Sequence, residues 1–460
     1  MEFKKNQIIP LDIDAFSSEG AGIGRIGGFV VFVQAAVPGD RIMCRITKAN
    51  KNFAYGRIEE MLAPSDRRQA PECPYFPKCG GCDFWHISYG FELETKKKMI
   101  EETVRRIGGV AVEAEEMIAA DDISGYRNKA VFPIGTGDDG RIVTGFYRER
   151  SHDIVSQDVC IIQSGTANRA ARAVCSVMNR YGMKPYDPVS MKGTLRYVFV
   201  RTGDLGASVC LVSGADGEDL NKDAFISEIK KACPEVKSIV LNINRTAGNR
   251  ILSDKFETIS GEKEIEDELL GSRFKISPPS FYQVNKKQAE KLYKKAAEYA
   301  DIKGDSTVVD LYCGTGTIGL TVAKTAKKLI GVEIVPQAVE DAKENAARNG
   351  VRNAKFICAD AGAAAKKLCD EGERPDIVIV DPPRKGLDDL GISAICEMGP
   401  DRIVYISCDV ATLARDIKKI AETGGYQLEK LSGVDMFPRT RHVECVALME
   451  REKNNEGENI

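Results

Sequence analysis

Two residues near the C-terminus have the side chains needed for nucleophilic and acid–base chemistry. Cys408, in Ser407-Cys408-Asp409, directly follows a β-rich apolar run, and Asp409 is a candidate cap for the helix that comes next. A cysteine at a helix N-terminus is expected to have a lowered pKa, so Cys408 is the candidate nucleophile. Glu444 opens the last strand-like run and is the candidate base, with His442 as a second candidate. If that strand runs antiparallel to its neighbours, its start lies at the same sheet edge as Cys408.

A glycine-rich motif further upstream is the candidate cofactor loop. It begins at Asp310, and its glycines allow a ligand to approach the backbone, while Glu333 ends the next strand-like run, where a carboxylate can accept ribose hydroxyls. The glycine spacing alone also fits NAD, FAD or a tight turn without a ligand. Asp310 can hold a cationic amino-acid tail but would repel a pyrophosphate, and Asp381-Pro382-Pro383-Arg384 predicts a rigid rim. Both features favour S-adenosylmethionine.

A thiolate and a base beside a methyl sulfonium can methylate a pyrimidine carbon. C5 of uracil is a poor nucleophile, but addition of a thiolate to C6 makes C5 electron-rich enough to attack the methyl group. A base must then remove the C5 proton before the thiol leaves. Cys408 and Glu444 would supply these two functions.

The elements that position these motifs predict an α/β fold class. Five apolar β-rich runs alternate with helical segments, which is typical of a doubly wound parallel sheet whose ligands bind at the carboxyl ends of the strands. These runs are residues 307–311, 328–332, 355–358, 376–380 and 402–406. We therefore expect a Rossmann-like methyltransferase domain over 266–460, a central α/β domain over 63–265 and a small β-barrel over 1–62.

The composition of the 460 residues indicates a protein without membrane spans. The hydrophobic fraction is 43%, and no apolar stretch reaches the length of a bilayer-spanning helix. The N-terminus lacks a secretion signal, so we expect a cytoplasmic location. We also expect the protein to be a monomer. The net charge of -3 opposes bulk attraction to nucleic acid, but residues 41–58 contain five basic residues and no acid. That segment is either a phosphate-facing surface or an ordinary solvated face.

Cysteine spacing indicates a metal site. Fourteen cysteines in a cytoplasmic protein are expected to be reduced, and Cys73, Cys79 and Cys82 lie within ten residues of one another. Three close cysteines that need a distant fourth are typical of iron–sulfur proteins. Zinc is the alternative, although its sites more often use two Cys-x-x-Cys pairs.

Taken together, these motifs resemble those of the RNA uracil-5 methyltransferases, which act on tRNA or 23S rRNA. The resemblance runs through the whole chain and rests on Phe281-Tyr282-Gln283-Val284-Asn285, Asp310-Leu311-Tyr312-Cys313-Gly314, Asp381-Pro382-Pro383-Arg384-Lys385-Gly386, Ser407-Cys408-Asp409 and His442-Val443-Glu444. It implies Cys408 as nucleophile and Glu444 as base. The cofactor contacts that it implies are Gln283, Tyr312, Glu333, Asp360 and Asp381.

The resemblance also carries expectations for the rest of the chain. It implies that Cys160 completes a [4Fe-4S] site with the three clustered cysteines, and that residues 1–62 form a TRAM domain of the oligonucleotide-binding type. The substrate it favours is 23S rRNA over tRNA, with the target base flipped out to reach Cys408. The chain departs from the family at Val410, where proline is usual. Two rival functions are an iron–sulfur oxidoreductase and a non-catalytic RNA-binding protein, and the intact Cys408 and Glu444 argue against the latter.

Overall fold

Alternating buried and exposed residues close the N-terminal segment into a β-barrel. The computed structural model describes residues 3–214, 220–246, 248 and 250–451. Within the described residues the barrel has the strand order β1-β2-β3-β5-β4. Its strands are β1 (Ile8–Phe16), β2 (Gly22–Ile26), β3 (Phe29–Val33), β4 (Arg41–Ala49) and β5 (Phe53–Ala63). Every second residue of β1 and β4 points into the barrel core. The predicted barrel is confirmed.

The central region is a mixed sheet with helices on one face. Its described strands have the order β13-β12-β11-β10-β7-β8-β9. The elements are β7 (Lys129–Thr136), β8 (Ile142–Tyr147), β9 (Ile154–Ser156), α2 (Gly165–Arg180), β10 (Leu195–Gly203), β11 (Gly206–Ser213), α3 (Lys222–Ala232), β12 (Val236–Ile243) and β13 (Phe256–Gly261). Alternate residues of β7, such as Ala130 and Phe132, pack against α2 and α3, whereas Val131 belongs to the opposite face.

The C-terminal region contains the predicted doubly wound sheet. Five parallel strands stand in the order β18-β17-β16-β19-β20, and β22 adds to β20 in antiparallel orientation. The elements are β14 (Ile265–Leu269), β15 (Ser272–Ile276), α4 (Lys286–Ala300), β16 (Thr307–Leu311), α5 (Thr317–Ala323), β17 (Lys328–Glu333), α6 (Pro336–Arg348), β18 (Ala354–Cys358), α7 (Ala361–Asp370), β19 (Ile377–Val380), α8 (Asp389–Met398), β20 (Arg402–Ser407), α9 (Val410–Gly424), β21 (Tyr426–Val434) and β22 (Glu444–Arg451). The predicted α/β fold class is confirmed.

A segment from the N-terminal half completes this sheet. Helix α1 (Tyr89–Thr103) continues into a π-helical turn, Val104–Gly108, and strand β6 (Glu116–Ile118) pairs in parallel with β21 at the sheet edge. Ile100 and Val104 lie in the same apolar core as the parallel strands. Residues 89–118 therefore pack with the C-terminal sheet, although the predicted central domain, 63–265, includes them. Among the described helices, none is both long and apolar enough to cross a bilayer.

A buried ion network attaches α1 to the loop between β21 and β22. The Lys96 ammonium donates to Glu92 and to Asp435, each at 2.7 Å, and all three side chains are fully buried. The backbone N–H of Arg439 donates to Glu92 at 2.8 Å, and the Tyr89 hydroxyl donates to Asp435 at 2.7 Å. Because this loop leads directly into β22, the network fixes the start of that strand.

We expect Lys96→Met to destabilise the protein by about 3–5 kcal/mol, because two buried carboxylates lose the cation that compensates them. Urea denaturation of the full chain measures the change in the free energy of unfolding. The matched control is Lys98→Met, since Lys98 is 74% exposed in a loose pair with Glu102 and should contribute less than about 1 kcal/mol. Equal effects of the two substitutions would contradict a structural role for the network.

Candidate active site

The carboxyl ends of the parallel strands bring the sequence-predicted residues to one sheet edge. Each follows or ends a different strand of the sheet. They are Tyr312 after β16, Glu333 at the end of β17, Asp360 after β18, Asp381 after β19 and Cys408 after β20. This is the edge at which doubly wound sheets bind ligands. Gln283 precedes α4 and is also buried.

The strand register places Cys408 beside Glu444. Strands β20 and β22 pair antiparallel from Arg402 opposite Glu450 to Ser407 opposite Cys445. Cys408 follows the last of these pairs on one strand and Glu444 precedes it on the other, and the charge of Glu444 acts on the Cys408 thiol, so the two side chains are neighbours. The antiparallel last strand, on which their proximity depended, is thus present. Asp409 caps α9, since its side chain accepts the N–H of Thr412 at 2.9 Å.

The surroundings of Cys408 raise the pKa of its thiol. Burial raises this pKa to about 11, and the carboxyl groups of Glu444 and Asp381 raise it as well, while Arg384 lowers it. This direction is opposite to the lowered pKa predicted from its place at a helix N-terminus. A pKa this high favours the neutral thiol, and Arg384 is the neighbour that favours its ionised form.

Glu444 is a better base candidate than His442. Glu444 is only 4% exposed, and burial together with Asp381 raises its pKa well above the usual value for glutamate. Burial, Arg384 and Arg441 lower the pKa of His442 to about 4. A carboxylate with a raised pKa holds a proton more firmly, whereas an imidazole with so low a pKa is a weak proton acceptor.

Three carboxyl groups crowd the site and hold protons because of it. Asp310 is fully buried, and no positively charged side chain acts on it. Burial and the neighbouring Asp381 raise the pKa of Asp310 to about 8, although the backbone N–H of Gly319 lowers it, and burial raises the pKa of Asp381 to about 7. Carboxyl groups with raised pKa values and no cationic partner favour a cationic ligand, which would stabilise their ionised forms. This donor set fits S-adenosylmethionine, which carries a sulfonium and an ammonium group.

The glycine loop is shaped for a nucleoside ligand. Glu333 accepts the backbone N–H of Gly314 at 3.1 Å and that of Val335 at 2.8 Å, so its carboxylate is held at the loop. Tyr312 has a φ of 68°, which is strained for a residue other than glycine, and such strain concentrates at ligand sites. Asp360 caps α7 by accepting the N–H groups of residues 362 and 363.

Tyr293 of α4 is a site residue that the sequence motifs did not indicate. It is 2% exposed, and its hydroxyl lies 3.4 Å from the Thr317 hydroxyl. Burial raises its pKa, with further contributions from Asp381 and Glu444, and the Gln283 side chain hydrogen-bonds to it. Its only sequence signal is an aromatic residue on the apolar face of a helix, which is also what an ordinary core residue shows.

The four predicted metal-binding cysteines line one cavity of about 420 Å³. They are Cys73, Cys79, Cys82 and Cys160. Burial is the largest cause that raises the pKa of Cys160, to about 11, and the charges of Cys79 and Cys73 add to it. Among the described residues, no three metal-binding side chains converge closely enough to hold a single ion. Arg384 and His442 line the same cavity, so it extends to the Cys408 rim.

The fold and the site together define a methyltransferase that uses S-adenosylmethionine. A profile of the family described as tRNA (Uracil-5-)-methyltransferase matches residues 88–452, and a TRAM domain profile matches residues 2–58. The chain belongs to this family, and it is an RNA (uracil-5-)-methyltransferase with an N-terminal TRAM domain.

Individual relatives agree with this assignment over nearly the full length. An "Uncharacterized RNA methyltransferase" of Bacillus cereus is 42% identical over 450 residues, which is 97% of each chain. One of the same description from Clostridium acetobutylicum is 41% identical over 453 residues, covering 97% of this chain and 98% of the relative. The solved Pyrococcus abyssi tRNA (uracil-54, C5)-methyltransferase, in complex with S-adenosyl-L-homocysteine, has a TM-score of 0.77 at 28% identity and covers 96% of this chain and 99% of its own.

The raised thiol pKa predicts how Cys408 reacts in the free protein. Alkylation by iodoacetamide should accelerate about tenfold per pH unit between about pH 7 and pH 9, because the thiolate fraction rises in that proportion below a pKa of about 11. Peptide mass spectrometry separates Cys408 from the other thiols, and the exposed Cys358 serves as the internal standard. A rate at Cys408 that is constant across this range would show that the thiol is already ionised.

Proposed function

We propose that this enzyme methylates C5 of a uridine in RNA through a transient covalent bond between Cys408 and C6. The observation that carries the proposal is that Cys408 and Glu444 are neighbours at the carboxyl edge of the sheet, with Asp381 close enough to act on both. A nucleophile and a base on the same face of two paired strands can act on adjacent atoms of one flat ring.

Each step assigns one function to one residue. S-adenosylmethionine supplies the methyl group, and its positive charge opposes the carboxyl groups that hold the thiol protonated. The Cys408 thiol first releases its proton to solvent, since Arg384 favours its ionised form. The thiolate sulfur then bonds to C6, and the electrons of the C5–C6 double bond move onto the ring as an enolate. C5 then bonds to the methyl carbon as the methyl–sulfur bond breaks. Glu444 takes the C5 proton, the Cys408–C6 bond breaks, and the double bond and thiolate are restored.

Arg384 has a supporting function in this scheme. It lowers the pKa of Cys408 and also that of Glu444, so it favours the ionised form of both groups. Its place in Asp381-Pro382-Pro383-Arg384, directly after β19, fixes it on the same rim. An arginine in this position keeps the thiolate available without itself taking a proton.

Substitution of the base should trap the reaction midway. We expect Glu444→Gln to accumulate a methylated Cys408–RNA adduct on ordinary uridine RNA, because the C5 proton is not removed, and turnover to fall by about 10²–10⁴-fold. Denaturing gel electrophoresis and mass spectrometry detect the adduct. Wild-type protein should form the same adduct only with 5-fluorouridine RNA, since fluorine does not leave as a proton does.

Cys408→Ala is the matched control for both experiments. It should form no adduct with either RNA, while Cys358→Ala, at an exposed thiol, should behave as the wild type. Full methylation by Cys408→Ala would exclude the covalent scheme. Adduct formation by Cys408→Ala would assign the nucleophile to another residue.

The RNA that contains the target is part of the proposal. We propose 23S rRNA, which the sequence resemblance favours, and a cytoplasmic monomer as the acting form. tRNA is the second candidate, because the matching family and the Pyrococcus abyssi enzyme are named for tRNA. Methyl transfer to purified 23S rRNA and to purified tRNA, measured side by side from RNA that lacks the modification, decides between them.

The barrel adds a modest electrostatic contribution to RNA binding. In its basic segment, Arg45 pairs with Glu59 at 2.5 Å and Arg41 with Asp12 at 3.1 Å, so acids from outside the segment partly neutralise it. Lys48 is exposed. Residues 41–58 therefore offer RNA phosphates fewer unpaired positive charges than the five basic residues of the sequence suggest, which weakens the interpretation of this segment as a phosphate-facing surface.

We also propose a [4Fe-4S] cluster as the group held by the four cysteines. They line a common cavity, and the charges of Cys160, Cys79 and Cys73 all raise the pKa of the Cys82 thiol, so the four thiols are neighbours. Three clustered cysteines with a distant fourth are the spacing typical of iron–sulfur ligands. The chain would hold the cluster through Cys73, Cys79, Cys82 and Cys160. Its contribution there is structural, because the methyl transfer contains no redox step.

Metal analysis of protein purified without oxygen tests this assignment. We expect about four iron atoms and four sulfides per chain, with visible absorbance from the thiolate–iron bonds, and loss of both in Cys82→Ser. Cys175→Ser, at a buried cysteine outside the cavity, is the control and should retain the iron. One zinc per chain without sulfide would favour the alternative.

A further inference from the structure

Three cations share the face of the central sheet that lines the cysteine cavity. Lys129 on β7 stands directly opposite Arg201 on β10. Arg127 precedes Lys129 by two positions, and Arg127, Lys129 and Val131 all line the cavity, as alternate residues of an extended chain do. We call Arg127, Lys129 and Arg201 the cation wall. It lies on the face of the sheet opposite α2 and α3.

The cation wall destabilises the folded protein. Like charges in directly opposed strand positions repel each other, and Arg201 is only 4% exposed. Its guanidinium donates to the backbone carbonyl of Ser280, but the Nε atoms of Arg201 and Arg127 are buried without a partner in the described part of the chain. Burial, Arg201 and Arg127 lower the pKa of Lys129 to about 8. Buried cations without a carboxylate favour an anionic ligand.

The cysteines and these cations come from different surroundings. Three of the four cysteines, Cys73, Cys82 and Cys160, pack against the apolar cluster around Trp85. Lys129 instead stands beside Arg201 on the central sheet, and Arg201 lies behind the residues that line the cavity. The cysteines and the cations therefore approach the cavity from different elements of the fold.

The cation wall lies close to the groups that act on the base. Arg384 and His442 line the same cavity, and Arg384 neighbours the Cys408 thiol. Asn128, between Arg127 and the first residue of β7, Lys129, donates its side-chain amide to the carbonyl of Gln283 at 2.8 Å. The wall is thus attached to the loop that precedes α4 at the catalytic edge.

We propose that the cation wall binds a phosphodiester of the RNA next to the nucleotide whose base reaches Cys408. The inference rests on the proposed function, in that RNA is the substrate, and it adds a phosphate site in the central domain. The Arg127 guanidinium and the Lys129 ammonium, which line the cavity, match the acceptor oxygens of a phosphodiester, and the charge of the buried Arg201 beside Lys129 adds to the attraction. The negative charge of the backbone compensates the repulsion that the folded protein carries at this wall.

Binding of a short RNA by the full-length chain tests the proposal without requiring methyl transfer. The probes are a uridine decamer with ordinary phosphodiesters and the same decamer with uncharged methylphosphonate linkages. Lys129→Gln should weaken binding of the charged decamer on the order of tenfold and reduce the slope of log affinity against log salt by about one. The methylphosphonate decamer should bind wild type and variant equally. Lys231→Gln is the control, since Lys231 is exposed on α3 across the same sheet.

The thermal stability and metal content of Lys129→Gln distinguish a phosphate-binding role of Lys129 from a structural one. Lys129→Gln should raise the thermal unfolding midpoint, because it removes one of two opposed like charges, and should leave the metal content unchanged. Unchanged affinity of this variant, an equal loss with both decamers, or a lower midpoint with loss of metal would each overturn the proposal. Displacement of the charged decamer by inorganic phosphate at low millimolar concentration would assign the wall to free phosphate instead. Failure of uridine methylation would leave these binding results unaffected.

Discussion

The antiparallel pairing of β22 with β20 is the constraint on which the catalytic arrangement depends. In a doubly wound sheet the parallel strands deliver their carboxyl ends to one edge, whereas an antiparallel strand delivers its amino end there. Glu444 is the first residue of such a strand, and this is why it meets Cys408, which follows the last residue of β20. A shift of one residue in this register would turn Glu444 to the opposite face of the sheet. The buried network around Lys96 holds the preceding loop, and with it the register.

Groups of opposite charge lie on the two sides of Arg384. Asp310 and Asp381 lie at the carboxyl edge of the catalytic sheet, and Asp381 raises the pKa of the Cys408 thiol. The central sheet presents Arg127 and Lys129 to the cavity that Arg384 also lines. The fold thus keeps an acidic region and a basic region apart on either side of one arginine.

Much of the architecture followed from the sequence because its patterns are local. Five apolar runs with helical segments between them specify a parallel sheet, and the glycine loop and Cys408 follow strands whose ends are visible in the sequence. Helix α1 could not be assigned to this sheet from its pattern, because its buried face includes Glu92 and Lys96 as well as Ile100. The pKa of Cys408 was predicted in the wrong direction, since it is controlled by burial and by groups from two distant segments, one with Asp381 and Arg384 and the other with Glu444. Tyr293 was missed because an aromatic residue on an apolar helix face normally indicates only packing.

The position of β6 at the edge of the catalytic sheet determines how the central sheet is attached to it. The chain leaves the catalytic fold after β6, builds the central sheet, and returns at β14, so the central sheet is an insertion attached by two covalent connections. A module joined by one linker can swivel, whereas one joined at both ends has a restricted set of orientations. The fold itself therefore restricts the distance between the face of the central sheet that lines the cysteine cavity and the carboxyl edge of the catalytic sheet.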